Sequence, residues 1–131
     1  MQVSSNALAE SMLIYDAGIA KGETTSKAIF NAFLGNVGWV RIFGVAAIDL
    51  PLIALGSADL LVSNIPKPMD IAPGCLFIEE AGGVITDFDG NPWSMNSKNI
   101  VVGNKLNHPK ALAVVKAAIL HAQAGSITRG E

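Results

Sequence analysis

Short, uninterrupted apolar runs alternate along this chain with longer segments whose apolar residues recur at helical spacing. Five runs are predicted to be strands: 11–16, 37–43, 59–63, 84–88 and 99–102. Helices are predicted to begin near residues 24, 45, 68 and 107. Strands without polar alternation are typical of sheets that helices cover on both faces. The order of the elements therefore predicts a layered α/β domain, in which helices flank one sheet.

The last helical pattern ends at Gly125, and glycine commonly terminates helices. We therefore expect residues 1–124 to form one α/β domain and residues 125–131 to be a flexible tail. A chain of 131 residues, half of them apolar, is long enough to bury a substantial core.

Charge and composition argue against several classes of protein. Nine Lys and Arg are scattered singly and outnumbered by eleven Asp and Glu, which argues against a nucleic-acid partner. The longest uncharged stretch, 28–40, has 13 residues, whereas a membrane span needs about 20. A single cysteine cannot form an intrachain disulfide, and the N-terminus lacks a signal-peptide pattern. We therefore expect a cytoplasmic protein with no membrane contact.

Residue chemistry alone leaves few candidate sites. The chain contains no P-loop, no GxGxxG and no GxSxG, and one Cys with two His cannot form a zinc cage. Cys75 has apolar neighbours and is predicted to be a buried, inert thiol. His108, Asp49 and Asp59 are predicted to be solvated. Asp70 stands at a loop-to-helix junction, where the pattern by itself favours a helix N-cap over a ligand.

Four segments between Arg41 and Gly90 point to a known family. They read RIFGVAAIDL at 41–50, ALGSAD at 54–59, MDIAPGCLFIEEAGG at 69–83 and TDFDG at 86–90. Together these segments resemble the inositol monophosphatase family, whose second signature runs from a Trp-Asp pair to Glu-Ala-Gly-Gly. The resemblance extends over about residues 11 to 104 and is strongest from 41 to 90.

The resemblance implies a Mg²⁺-dependent phosphomonoesterase that acts on a small phosphorylated sugar or polyol. Asp70 matches a metal ligand of the family, so the resemblance favours a ligand over an N-cap. Gly44, Val45, Ala46 and Ser63 match positions beside the substrate. Val45 replaces the usual Ser or Thr, and Ser63 stands where inositol-specific members have a Glu. These two departures argue against inositol itself as the substrate.

The family's first signature, Asp-Pro-x-Asp-Gly-Thr, which carries further metal ligands, does not occur in this sequence. The chain therefore resembles the C-terminal half of the family's fold, and we expect it to be inactive alone because Mg²⁺ needs more than one carboxylate. Its expected partners are the missing N-terminal half and, through apolar surface, further copies of itself. Two alternatives remain: a non-catalytic α/β module that pairs with itself or with a separate N-terminal half, and a structural domain in which Asp70 is only a cap.

Overall fold

The computed structural model describes residues 1–16, 24–44, 46–64 and 67–129. Within these ranges a short 3₁₀ turn at Leu8–Glu10 precedes a five-stranded sheet and four α-helices. The strands are β1 (Met12–Asp16), β2 (Trp39–Arg41), β3 (Leu60–Ser63), β4 (Val84–Thr86) and β5 (Ile100–Gly103). The helices are α1 (Thr24–Phe33), α2 (Ala46–Ala54), α3 (Pro68–Glu80) and α4 (His108–Arg129).

The sheet has the strand order β2-β1-β3-β5-β4. Strand β1 runs parallel to both β2 and β3, whereas β5 runs antiparallel to β3 and β4. The register pairs Asp16, the last residue of β1, with Ser63, the last residue of β3. The parallel strands thus end at one edge of the sheet.

Helices cover both faces of the sheet, which confirms the predicted layered α/β architecture. Alternate residues of a strand point to opposite faces, so Leu13 and Tyr15 pack with Ile29 and Phe33 of α1, in a core that α4 also lines. On the other face, Ile14 lies in a second core. That core includes Leu50, Ile53, Leu61, Ile71 and Ile78 and is lined by α2 and α3. The helices therefore form two layers, an α1–α4 layer and an α2–α3 layer.

Several element boundaries differ from the predictions, and the strand predicted at 84–88 is limited to Val84–Thr86. The strand predicted at 37–43 is limited to Trp39–Arg41, and Gly44 follows it with a φ of +74°. Helix α4 continues to Arg129, so the predicted helix end at Gly125 is wrong. A glycine inside a helix costs only about 1 kcal/mol, which its helical neighbours can offset. That residues 125–131 form a flexible tail stays a prediction.

All three residues predicted to be solvated, His108, Asp49 and Asp59, are buried. The Asp59 carboxylate accepts hydrogen bonds from the Met12 backbone N–H at 2.7 Å and from Asn6 Nδ2 at 3.0 Å. His108 is 5% exposed, and its Nε2 lies 2.9 Å from Thr86 Oγ1. Burial lowers the pKa of His108, although a backbone hydrogen bond with Val101 opposes this shift. Neither contact was visible in the sequence, because the partners lie more than 20 residues away.

Among the described residues, no helix is both long and apolar enough to cross a membrane.

Candidate functional site

The candidate site lies at the sheet edge where the parallel strands end. Helix α1, which follows β1, packs on one face of the sheet, and α3, which follows β3, packs on the other. After β1 the chain therefore turns to one face of the sheet, and after the neighbouring β3 it turns to the other face. In open α/β sheets, ligands bind in the crevice that such a divergence opens outside the carboxyl ends of the strands.

The topology brings three of the predicted substrate-binding residues to this edge. Ser63 ends β3 and is buried, Gly44 lies between β2 and α2, and Ala46 begins α2. A Cβ at Gly44 would meet no atom within 4 Å, and the positive φ favours glycine there. Val45, the fourth predicted residue, lies outside the described residues. The substrate-binding roles of all four stay predictions.

Asp70 lies in the first turn of α3 and is exposed to solvent. The N-cap of this helix is Lys67, which makes no side-chain capping hydrogen bond. The interpretation of Asp70 as an N-cap is therefore wrong. Its carboxylate instead stands at the positive end of the helix dipole, within reach of a cation or a partner group from solvent. Its role as a metal ligand stays a prediction.

Asp49, in the first turn of α2, was wrongly predicted to be solvated. It has no exposed surface, and neither carboxylate oxygen has a hydrogen-bond partner in the described part of the chain. Burial and the negative charge of nearby Asp16 raise the pKa of Asp49 to about 6. Burial also raises the pKa of Asp16. The signal in the sequence was helical spacing, which places Asp49 beside Leu50 and Ile53 on the core-facing stripe of α2.

The residues present do not fit a Mg²⁺ cluster by themselves. Mg²⁺ in phosphatase sites is held by several carboxylate and water oxygens in near-octahedral geometry. In the described ranges, no three His, Cys, Asp or Glu side chains come together in a group that could hold a metal. Asp70 can offer one carboxylate, and the other ligands would have to come from elsewhere.

One prediction about a polar side chain is confirmed, and a turn accounts for a second polar residue. Cys75 is buried, and burial, with a further contribution from the charge of Glu79, raises the pKa of its thiol to about 12, so it is inert as a nucleophile. Asp87 stabilises its own turn, because its Oδ1 accepts hydrogen bonds from the backbone N–H groups of Asp89 and Asn91, each at 2.9 Å. Neither residue contributes to the candidate site.

Known proteins share sequence and fold with this chain. The family model described as "Inositol monophosphatase family" matches residues 1–120. The chain is 34% identical over 116 residues to the chloroplastic phosphatase IMPL1 of Arabidopsis thaliana, covering 87% of this chain and 31% of that protein. It is 36% identical over 80 residues to a fructose-1,6-bisphosphatase/inositol-1-monophosphatase of Thermotoga maritima, covering 61% of this chain and 31% of that protein.

Solved structures show the same fold. An IMPase from Thermotoga maritima superimposes with a TM-score of 0.83 and 28% identity, covering 93% of this chain and 47% of that one. An inositol monophosphatase from Anabaena gives a TM-score of 0.81 at 27% identity, covering 89% and 48%. The chain thus spans about a third of these curated relatives and about half of these solved structures. With a family model matched along nearly its whole length, the chain belongs to the inositol monophosphatase family.

Proposed function

We propose that the chain forms one wall of a Mg²⁺-dependent phosphomonoesterase site that acts on a small phosphorylated sugar or polyol. The observation that carries the proposal is the exposed Asp70 carboxylate in the first turn of α3. It belongs to the segment that matches the family's metal-binding signature. Because the described residues do not form a metal cluster by themselves, further carboxylates must join Asp70 from the part of the family fold that this chain does not match.

The backbone around Gly44 supports a role in binding the substrate. No atom lies within 4 Å of the position that a Cβ would occupy there, so a ligand can approach the main chain closely. Ser63, at the end of β3, carries a neutral hydroxyl where the resemblance places a Glu carboxylate in inositol-specific members. We therefore favour a sugar or polyol phosphate over inositol phosphate as the substrate.

The isolated chain is expected to lack phosphatase activity, since metal-assisted hydrolysis without a metal cluster loses most of its rate enhancement. The purified chain is assayed with a generic phosphomonoester and Mg²⁺. Turnover that depends on Mg²⁺ would contradict the requirement for a further half.

The matched part of the Thermotoga maritima IMPase is then replaced by this chain, which yields a chimera. We expect Mg²⁺-dependent turnover by the chimera and a loss of at least about 100-fold in Asp70→Asn, with Asp89→Asn as the control. The Tm should change little, because the Asp70 side chain is exposed. A folded chimera without activity, or an Asp70→Asn variant with full activity, would contradict the proposed function and favour the non-catalytic module.

Homo-oligomer formation and a cytoplasmic location stay predictions. Light scattering after size exclusion tests the first, and a monomer at all micromolar concentrations would contradict it.

A further inference from the structure

The crevice at the candidate site opens between β1 and β3, the two neighbouring strands after which the chain turns to opposite faces of the sheet. Their last residues, Asp16 and Ser63, are register partners and therefore lie side by side at this crevice. The backbone N–H of Asn64 donates a hydrogen bond to the Asp16 carbonyl oxygen at 3.2 Å, so the two strands stay joined to their ends. Asp16 thus has a fixed position at the edge where a ligand would enter.

The side chains of Asp16 and Ser63 point to the same face of the sheet. Ile14 and Leu61, two residues earlier on each strand, both lie in the core that α2 and α3 line, and alternate residues of a strand share a face. Ser63 is only 3% exposed, whereas Asp16 is only partly buried. Of these two neighbouring side chains, the one that a ligand can reach is therefore that of Asp16.

A second carboxyl group, that of Asp49, lies near Asp16. Asp49 approaches from the first turn of α2, and the negative charge of Asp16 contributes to raising its pKa. Asp49 has no exposed surface, and neither of its oxygens has a hydrogen-bond partner within the described residues. An ionised carboxylate can only accept hydrogen bonds. This part of the crevice is therefore rich in acceptors, which a ligand with hydroxyl donors would match.

A cation matches the Asp16–Asp49 pair less well than hydroxyl groups do. Mg²⁺ demands near-octahedral oxygen coordination, and in the described part of the chain no third His, Cys, Asp or Glu joins the two carboxyl groups. A sugar or polyol, by contrast, carries several O–H donors. Hydrogen bonds from such donors to an ionised carboxylate are short and stronger than those between neutral groups.

We propose that Asp16 determines the specificity of the site by accepting a hydrogen bond from a hydroxyl group of the substrate. Ser63 forms the neighbouring strand end but does not make this contact, because its side chain is buried. The inference rests on the proposed function, since it places the substrate in this crevice. It adds the residue that distinguishes phosphate esters with hydroxyl groups from those without them.

The experiment uses the chimera described above and two phosphate esters with the same six-carbon chain. Sorbitol 6-phosphate carries hydroxyl groups along this chain, and hexyl phosphate carries none. We expect Asp16→Asn to lower the ratio of kcat/KM for sorbitol 6-phosphate to kcat/KM for hexyl phosphate at least about fivefold, because a charge-assisted hydrogen bond becomes a neutral one. The loss should appear mainly as a higher KM for sorbitol 6-phosphate, since the contact is made equally in the ground state and the transition state.

Two further variants separate recognition of the substrate from packing. Glu10→Gln neutralises an exposed carboxylate just before β1, at the opposite edge of the sheet, and should leave the ratio unchanged. Asp16→Glu keeps the charge but is larger, so it should retain more of the ratio than Asp16→Asn does. A merely structural role predicts the reverse order, because Asn has the size and shape of Asp, and that order would overturn the proposal.

The remaining outcomes are distinct from one another. An unchanged ratio in Asp16→Asn would overturn the proposal and leave the proposed function intact, provided that hexyl phosphate is still hydrolysed. If Asp16→Asn instead raises the Mg²⁺ concentration needed for half-maximal turnover of both esters, Asp16 contacts a cation and the proposal is wrong. A chimera that does not fold, or that folds and hydrolyses neither ester, contradicts the proposed function and this inference together.

Discussion

The two helix layers pack on the same sheet but present opposite chemistry to their surroundings. The outer side of the α1–α4 layer exposes mainly polar side chains, Lys27, Asn31, Lys110 and Lys116, beside the exposed Leu120. The outer side of the α2–α3 layer exposes mainly apolar side chains, with acidic residues only near the ends of α3. The outer side of the α1–α4 layer has the composition of a solvent-exposed surface, whereas the outer side of the α2–α3 layer has a composition closer to that of a protein interior.

This difference follows from how many apolar sides each helix has. An amphipathic helix such as α1 needs only one apolar neighbour, and the sheet provides it. Helices α2 and α3 have apolar residues on both sides, and the sheet can cover only one of them. The remaining side therefore predicts a partner, independently of any relative.

The largest expected effect compares the same residue type in the two layers. Phe33 of α1 has no exposed surface, whereas Phe77 of α3 is 42% exposed. Phe33→Ala should lower the free energy of unfolding by about 3–5 kcal/mol, because it opens a cavity in the core. Phe77→Ala should cost about 1 kcal/mol or less in the isolated chain, since part of its surface is already in water. Urea unfolding measures both free energies. Similar losses would show that Phe33 and Phe77 do not differ in burial as the structure describes.

A smaller effect is expected within the α2–α3 layer. Gly74→Val would place side-chain atoms against the Cβ of Leu50, which cannot swing away, so α2 and α3 must move apart. We expect a loss of about 2–3 kcal/mol and a Tm lower by about 10 °C. Ala72→Val, two residues earlier in the same helix, is the control for the helix propensity of valine and should cost less than about 1 kcal/mol. Equal losses would show that close packing of the two helices is not required.

The smallest effect depends on pH and concerns Asp49. Its pKa is raised from 3.8 to about 6, so between these pH values the folded chain holds a proton that the unfolded chain has lost. Stability should therefore fall as the pH rises from about 4 to about 6 and should then level off. Asp49→Asn removes the Asp49 share of this fall, whereas the share from Asp16, whose pKa burial also raises, remains in both proteins. The variant should be more stable than the wild type at pH 7.5 by about 1–2 kcal/mol.

Thermal unfolding of both proteins from pH 4 to pH 8 measures the difference. Lowering of the His108 pKa makes stability rise with pH, but this contribution is common to both proteins and cancels. Asp89→Asn, at an exposed turn position, serves as the control and should follow the wild type. A constant difference between Asp49→Asn and the wild type at all pH values would contradict the raised pKa of the buried carboxylate.

The sequence predicted the architecture well because its signals are local. Apolar runs located all five described strands. Helical spacing, apolar content and the placement of prolines and glycines located all four described helices, with errors at the ends. The error at Gly125 arose because helix termination by glycine is a preference of about 1 kcal/mol rather than a rule. For the candidate site, the segment around Asp70 indicated the family, which the comparisons confirmed.

The sequence by itself determined the order of strands and helices, the family and the position of Asp70 near a helix start, since each depends on residues close together in the chain. Tertiary structure decided that Asp49 and His108 are buried, that Asp70 is not the N-cap and that one helix layer keeps an apolar outer side. Burial is decided by segments that are distant in sequence and meet only in the folded chain. Asp49 shows this most clearly: its helical stripe faces the core, and the charge of Asp16, on a strand more than 30 residues earlier, raises its pKa.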